Sequence, residues 1–318
     1  MTFTSALGPA HDIALLTSPL NPAPLNPAPL DPAPSARTGE PDTPRPSGTV
    51  RYHDRGSGPP VVFVHGLLVN SALWRHVVPG LVDAGFRCLT PDWPLGSHSL
   101  PMRDADLTPI GVADLVASFL ERLDLRDVTL VGNDTGGAIT QLVMTRHPDR
   151  IGRVVLTPSD CYENFLPPLF RPLSMVARVP GSMLPITSAL RIRALHRLPF
   201  TFGWVSKRPV PAEVVDSYLA PSRSSGAIRA DLRRFLAGIH NRYTLEAARQ
   251  FATFDKPVLL AWAEEDRVFP MRYAERLAAD LPNATLRTIA DSYVFVPEDR
   301  PELLTEMIVA FTRRHAAS

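Results

Sequence analysis

The sequence predicts an α/β fold built on a mostly parallel sheet, and three features carry that expectation. Short apolar runs recur between turn residues. Amphipathic stretches of helical length alternate with them. One buried run passes through a glycine-containing turn straight into a helix. The chain has 318 residues, enough for one large domain or two small ones with a substantial core.

The elements follow in order. Residues 1–47 hold 11 prolines, and residues 20–34 repeat a five-residue unit, LNPAP, LNPAP, LDPAP. Proline fixes φ and removes a backbone donor, so a disordered, semi-rigid Pro-rich tail is expected over 1–47. From residue 48 the pattern changes. Residues 49–53 read as a strand, and 61–64 (Val-Val-Phe-Val) as a strand buried on both faces. Further strands are expected at 87–90, 128–131, 153–156, 258–262 and 284–289. Helices are expected at 110–123, 135–147, 273–281 and 302–315. Residues 159–250 break this rhythm with helix-like segments punctuated by proline. The expected organisation is a core over 48–158 and 251–318, with 159–250 inserted as a helical lid (cap) over the ligand-binding end of the sheet.

Composition narrows the function. There are 33 basic and 32 acidic residues, a net charge of +1, which excludes a strongly basic nucleic-acid surface. Two cysteines, Cys88 and Cys161, are too few for a disulfide framework or a cysteine-rich metal site. No apolar run reaches the roughly eighteen residues needed to cross a bilayer. The first basic residue is Arg37, so no charged leader is expected. These features point to a cytoplasmic protein with a small-molecule substrate, no nucleic acid or membrane partner, and neither metal nor cofactor.

Three motifs carry chemistry. In Gly132-Asn-Asp134-Thr135-Gly136 a buried strand runs through a tight turn into a helix. This is the setting of a nucleophile elbow with Asp134 at its apex. His65-Gly66-Leu67 follows the strand at 61–64. Backbone N–H groups of Leu67 and Thr135 would form an oxyanion hole, with His65 holding the loop. The strand at 258–262 ends in Glu264-Glu265-Asp266, and Asp266 is placed to orient a histidine.

From about residue 48 to 318 these motifs, in this order and together with Asp92-Trp-Pro-Leu-Gly, resemble the α/β-hydrolase family. The aspartate at the elbow makes the chain similar to its haloalkane dehalogenase and epoxide hydrolase branch. The resemblance implies attack by Asp134 on a carbon bearing halide or epoxide oxygen. A histidine-activated water would then hydrolyse the alkyl-enzyme ester.

The sequence departs from that branch in several places. Aligning Glu298-Asp299-Arg300-Pro301 with the family pattern puts Val294 where the base histidine belongs. His98 is the candidate replacement base, with Asp160 and Asp291 as weaker alternatives. Leu67 and Thr135 stand where dehalogenases often carry asparagine and tryptophan. Substrate contacts are therefore sought from Trp262 and from the inserted tyrosines Tyr162 and Tyr218. The expected activity is hydrolysis of a hydrophobic haloalkane- or epoxide-like molecule. The alternatives are a catalytically silent binding protein and a lyase or isomerase using Asp134 as general base.

Overall fold

The computed structural model describes residues 3–17, 45–190, 192, 194, 195, 198 and 201–316. The chain opens with α1 (Phe3–Leu7), β1 (Ala10–Thr17), β2 (Arg45–Arg55) and β3 (Pro60–Val64). It continues through α2 (Val78–Asp83), β4 (Arg87–Pro91), α3 (Pro109–Arg122), β5 (Val128–Asp134), α4 (Thr135–Arg146) and β6 (Ile151–Ser159). Five helices then intervene: α5 (Arg171–Val176), α6 (Met183–Ala189), α7 (Ala212–Ser224), α8 (Gly226–Gly238) and α9 (Arg242–Arg249). The chain returns to the sheet with β7 (Val258–Ala263), α10 (Met271–Asp280) and β8 (Ala284–Ile289), and ends in α11 (Val296–Asp299) and α12 (Pro301–Arg314).

Eight strands form one sheet in the order β1-β2-β4-β3-β5-β6-β7-β8. β2 runs antiparallel to both β1 and β4, and every pairing from β4 to β8 is parallel. The middle of the sheet reads as continuous apolar sequence because helices cover it. Val61 to Val64, Val128 to Val131 and Val258 to Ala263 are buried throughout, as expected for parallel strands covered on both faces. α3 starts where the sequence caps it. Thr108 Oγ1 accepts the Gly111 N–H at the head of α3, and Pro109 follows at a position where its missing donor costs nothing.

Two consequences of this topology position the site. The carboxyl ends of β3, β5, β6 and β7 lie side by side at one edge of the parallel sheet, where α/β proteins bind ligands. The segment carrying α5 to α9 is inserted between β6 and β7 and leaves the sheet at that same end, after β6.

The first 47 residues correct the expectation of a wholly disordered tail. α1 and β1 lie within them, and β1 pairs with β2 from Ala10 opposite His53 to Thr17 opposite Arg45. The apolar stretch there is too short to make a core of its own, yet the open edge of β2 supplies its backbone partners. Leu7 and Leu15 are fully buried in the main core. Arg51 holds Asp12 through two hydrogen bonds of 2.9 and 3.1 Å, and His53 Nδ1 lies 3.0 Å from the Gly8 carbonyl oxygen. The LNPAP repeat lies outside the described residues. β2 starts at Arg45, before the strand expected at 49–53, and β6 runs on to Ser159. Leu15→Ala is expected to lower unfolding free energy by about 2–4 kcal/mol in a denaturant titration. A loss too small to measure would contradict the packing of this edge strand.

Candidate active site

Asp134 ends β5 with φ 55° and ψ −131°, backbone angles that L-residues avoid and that cost on the order of 1–3 kcal/mol. The surrounding glycines make the turn possible. A Cβ on Gly136 would collide with the carbonyl oxygens of Val64 and His65, and one on Gly137 with the Ser159 side chain. A Cβ on Gly66 would strike the Asp134 carboxylate itself. The loop after β3 and the turn after β5 are therefore in backbone contact, and small residues at three positions are the condition for it.

The loop after β3 is fixed by His65. Its Nε2 accepts the Trp93 N–H at 2.8 Å, which places the ring proton on Nδ1, 2.9 Å from the Gly66 carbonyl oxygen. Burial pushes His65 down to about 4, so the ring is neutral and holds the loop. The next N–H, from Leu67, donates to Asp134 Oδ2 at 3.2 Å, and the Thr135 N–H also bonds this carboxylate. Two amides thus converge on the side chain at the apex. Burial nevertheless pushes Asp134 up to about 7 against the pull of these two donors.

A second carboxyl lies directly behind the first. Asp160 follows β6, and its Oδ2 accepts the Thr135 hydroxyl at 3.1 Å. Its backbone is held from both sides: its N–H reaches the Asp134 carbonyl at 3.4 Å, and Gln141 Nε2 donates to its carbonyl at 2.8 Å. Asp160 is completely buried, and its Oδ1 has no partner among the described residues. Burial, and next the charge of Asp134, hold this carboxyl well above the usual range.

Asp266 follows β7, and its Oδ1 accepts the N–H groups of Val268 and Phe269, both at 2.7 Å. Its Oδ2 is buried with no partner among the described residues. Burial lifts Asp266 to about 7, opposed by those two donors and helped by the charge of Asp134. Val294 is fully buried, and its carbonyl oxygen accepts the Asn133 side-chain N–H at 2.7 Å. The C-terminal loop is therefore tied to the residue beside Asp134, and an apolar side chain occupies the position that the resemblance gives to a histidine.

Asp134 and Thr135 open on an apolar chamber with about 680 Å³ of free space, its mouth included. Leu67, Leu68 and Phe295 of the core line it, together with Leu166, Phe170, Leu173, Phe202, Val205 and Leu219 of the inserted segment. Sequence reading missed these wall residues. They come from separate helices and loops, and no spacing in the sequence joins them.

Four expected contacts with the site are corrected. His98 is buried with its Nε2 3.2 Å from Asp231 Oδ2 of α8, and it does not line the chamber. Its role here is to join the loop after β4 to the insertion. The Tyr162 hydroxyl donates to Asp280 at 2.8 Å, while Arg276 lies over its ring. The Tyr218 hydroxyl donates to Glu298 at 3.3 Å, beside the buried Arg75–Glu298 ion pair. Trp262 Nε1 donates to the Phe269 carbonyl at 2.8 Å. None of these three lines the chamber, because each polar end is already bonded elsewhere. Asp291 is half-exposed and ion-paired with Lys207 and Arg208. Among the described residues no cluster of His, Cys, Asp or Glu is arranged to hold a metal ion, and no helix is long and apolar enough to cross a membrane.

The buried acids set a pH dependence of stability. Asp266 goes from 3.8 unfolded to about 7 folded, so the folded state binds more protons across that interval. Its contribution is intact below about 4 and is lost as pH rises through about 7. Asp266→Asn keeps the acceptor for Val268 and Phe269 and removes the titration. It should gain on the order of 2–4 kcal/mol relative to the parent between pH 4.5 and pH 8, read by denaturant unfolding. A constant difference across that range would contradict the assignment.

Comparison with known proteins agrees with this architecture. The family model for the alpha/beta hydrolase fold matches residues 59–301. The chain is 31% identical over 253 residues to an uncharacterized hydrolase, YugF, of Bacillus subtilis, covering 80% of this chain and 89% of that protein. It is 28% identical over 272 residues to a haloalkane dehalogenase of Mycolicibacterium paratuberculosis, covering 82% and 87%. Among solved structures, the haloalkane dehalogenase DatA from Agrobacterium tumefaciens C58 superposes with a TM-score of 0.70 at 24% identity, covering 85% of this chain and 94% of that one. Sheet order and sequence likeness agree: the chain belongs to the α/β-hydrolase fold family.

Proposed function

We propose that the protein is a hydrolase of hydrophobic small molecules in which Asp134 attacks an electrophilic carbon, in a haloalkane- or epoxide-like substrate, to form an ester. One observation carries this reading: a carboxylate held at a strained apex, receiving two backbone N–H groups and facing an apolar chamber. Strain of this kind persists where the surrounding structure enforces it, and it clusters at reacting groups. A binding site for apolar molecules gains nothing from a buried carboxyl at its floor.

The same donors suit the second half of the reaction. Once one oxygen of Asp134 is alkylated, water attacks the Asp134 carboxyl carbon. The resulting oxyanion is met by the Leu67 and Thr135 N–H groups that already bond this carboxylate. The inserted helices act as a lid in this scheme, excluding water from the alkylation step. Val294 favours a second reading, a silent binding protein, because valine accepts no proton from water.

The test is intact-mass spectrometry and product analysis with 1-bromohexane and 1,2-epoxyhexane, beside Asp134→Asn. We expect an adduct on Asp134 or an alcohol product, absent in the variant. Only the ionised carboxyl attacks, so the rate should rise with pH through about 7 and level off above it. Absence of any Asp134-dependent adduct or product, with ligand binding unchanged in Asp134→Asn, would support the binding protein instead.

A further inference from the structure

Among the described residues no histidine lines the chamber, yet proton transfers are required for turnover, and a hydroxyl and a carboxyl stand beside the reacting group. Thr135 is both a chamber-wall residue and the immediate neighbour of Asp134. Its hydroxyl is bonded at 3.1 Å to Asp160. Asp160 caps no helix, since the next one begins only at Arg171, and one of its two oxygens has no partner among the described residues.

We propose that Thr135 and Asp160 form a proton relay that performs the acid and base steps of turnover, and that this relay selects epoxides as the substrate class. The proposal rests on Asp134 being the nucleophile. In the resting site two neighbouring buried carboxyls share one proton, since both cannot be ionised at close range. Asp160 holds that proton and Asp134 is the anion. Asp134 forms a bond to a ring carbon of the epoxide while the carbon–oxygen bond breaks. The alkoxide takes the Thr135 hydroxyl proton as Thr135 takes the proton of Asp160. Asp134 is now a neutral ester, and Asp160 is a carboxylate. Water then attacks the ester carbon, passing a proton through Thr135 back to Asp160. The tetrahedral centre collapses, and the departing alkoxide takes that proton along the same path. Asp134 is left as an acid whose proton passes to Asp160, restoring the one-proton pair. Epoxide and water have become a diol.

The walls explain the selectivity. Thr201, a second hydroxyl on the chamber, is already donating to the carbonyls of Leu195 and Leu198. The Leu67 and Thr135 N–H groups are engaged by Asp134, and the remaining walls are apolar. A departing halide needs fixed donors and accepts no proton at neutral pH. A departing oxygen is neutralised by the relay.

The test uses the full chain with 1,2-epoxyhexane, comparing the parent with Asp160→Asn, Thr135→Val and Thr135→Ser. Diol formation and the esterified fraction of Asp134 are followed by product analysis and intact mass. We expect Asp160→Asn and Thr135→Val to slow diol formation by about 100-fold or more, Thr135→Ser to retain most of it, and 1-bromohexane to give little product in any form. Infrared spectroscopy at pH 7 should show, beside the signal of Asp266, a protonated carboxyl component that is lost in Asp160→Asn and shifts in Thr135→Val. Parent-like diol formation in Asp160→Asn and Thr135→Val would overturn the relay while leaving Asp134 as nucleophile. No adduct or diol in the parent would overturn the nucleophile and the relay's catalytic role with it. A carboxyl band unmoved by both substitutions would overturn the relay whatever the activity.

Discussion

The backbone of Asp134 is the constraint on which the rest of the site depends. A residue with a side chain is held at φ 55°, and the hydrogen bonds of β5 before it and α4 after it leave the turn no room to relax. Three consequences follow. Glycine is required at 66, 136 and 137, where neighbouring segments touch the backbone. The carboxyl is thrust out of the sheet toward the chamber. The first amide of α4 and the Leu67 amide both point at it, so the positive end of the helix acts on the group that carries charge.

Against that favourable field stands desolvation. Asp160 and Asp266 are buried and Asp134 partly so, no cationic side chain is bonded to any of them among the described residues, and desolvation is the first cause of the upward shift in each. The nearest imidazole in the loop, His65, is held neutral by the same burial. The site therefore favours states of low net charge. Alkylation of Asp134 leaves the net charge of this cluster unchanged in the relay, because Asp160 gives up its proton as the ester forms. The same logic explains why the loop carrying Val294 keeps its place. Its carbonyl bonds Asn133, the Phe295 N–H bonds the Val205 carbonyl at 2.6 Å, and Asp299 accepts the backbone N–H groups of Tyr293, Lys207 and Arg208. Those backbone contacts hold without a histidine.

The sheet was largely legible from the sequence because parallel strands buried on both faces leave continuous apolar runs. β8 falls on the expected residues, and β3, β4 and β7 lie within a residue of expectation. The elbow was legible because a strand, a glycine-flanked acid and a helix leave few other readings. β1 was not, since it pairs with residues beyond the proline repeat and its own composition gives no sign of a partner. The roles of Tyr162, Tyr218, Trp262 and His98 were not legible either. A polar aromatic side chain serves equally well at a chamber wall or tied to Asp280, Glu298, the Phe269 carbonyl or Asp231. Only the three-dimensional partner decides. Asp160 lay in plain view after β6, but its bond to Thr135 follows from the parallel pairing of β5 with β6 rather than from any motif.

The central claim is that water attacks the carboxyl carbon of Asp134 rather than the substrate. Single turnover of 1,2-epoxyhexane in ¹⁸O-water by excess protein, followed by mass analysis of the peptide containing Asp134, tests it directly. The account predicts that ¹⁸O enters the Asp134 carboxyl and that the diol's new oxygen comes from the protein. Label found wholly in the diol, with Asp134 unlabelled, would show direct attack on the substrate and contradict it.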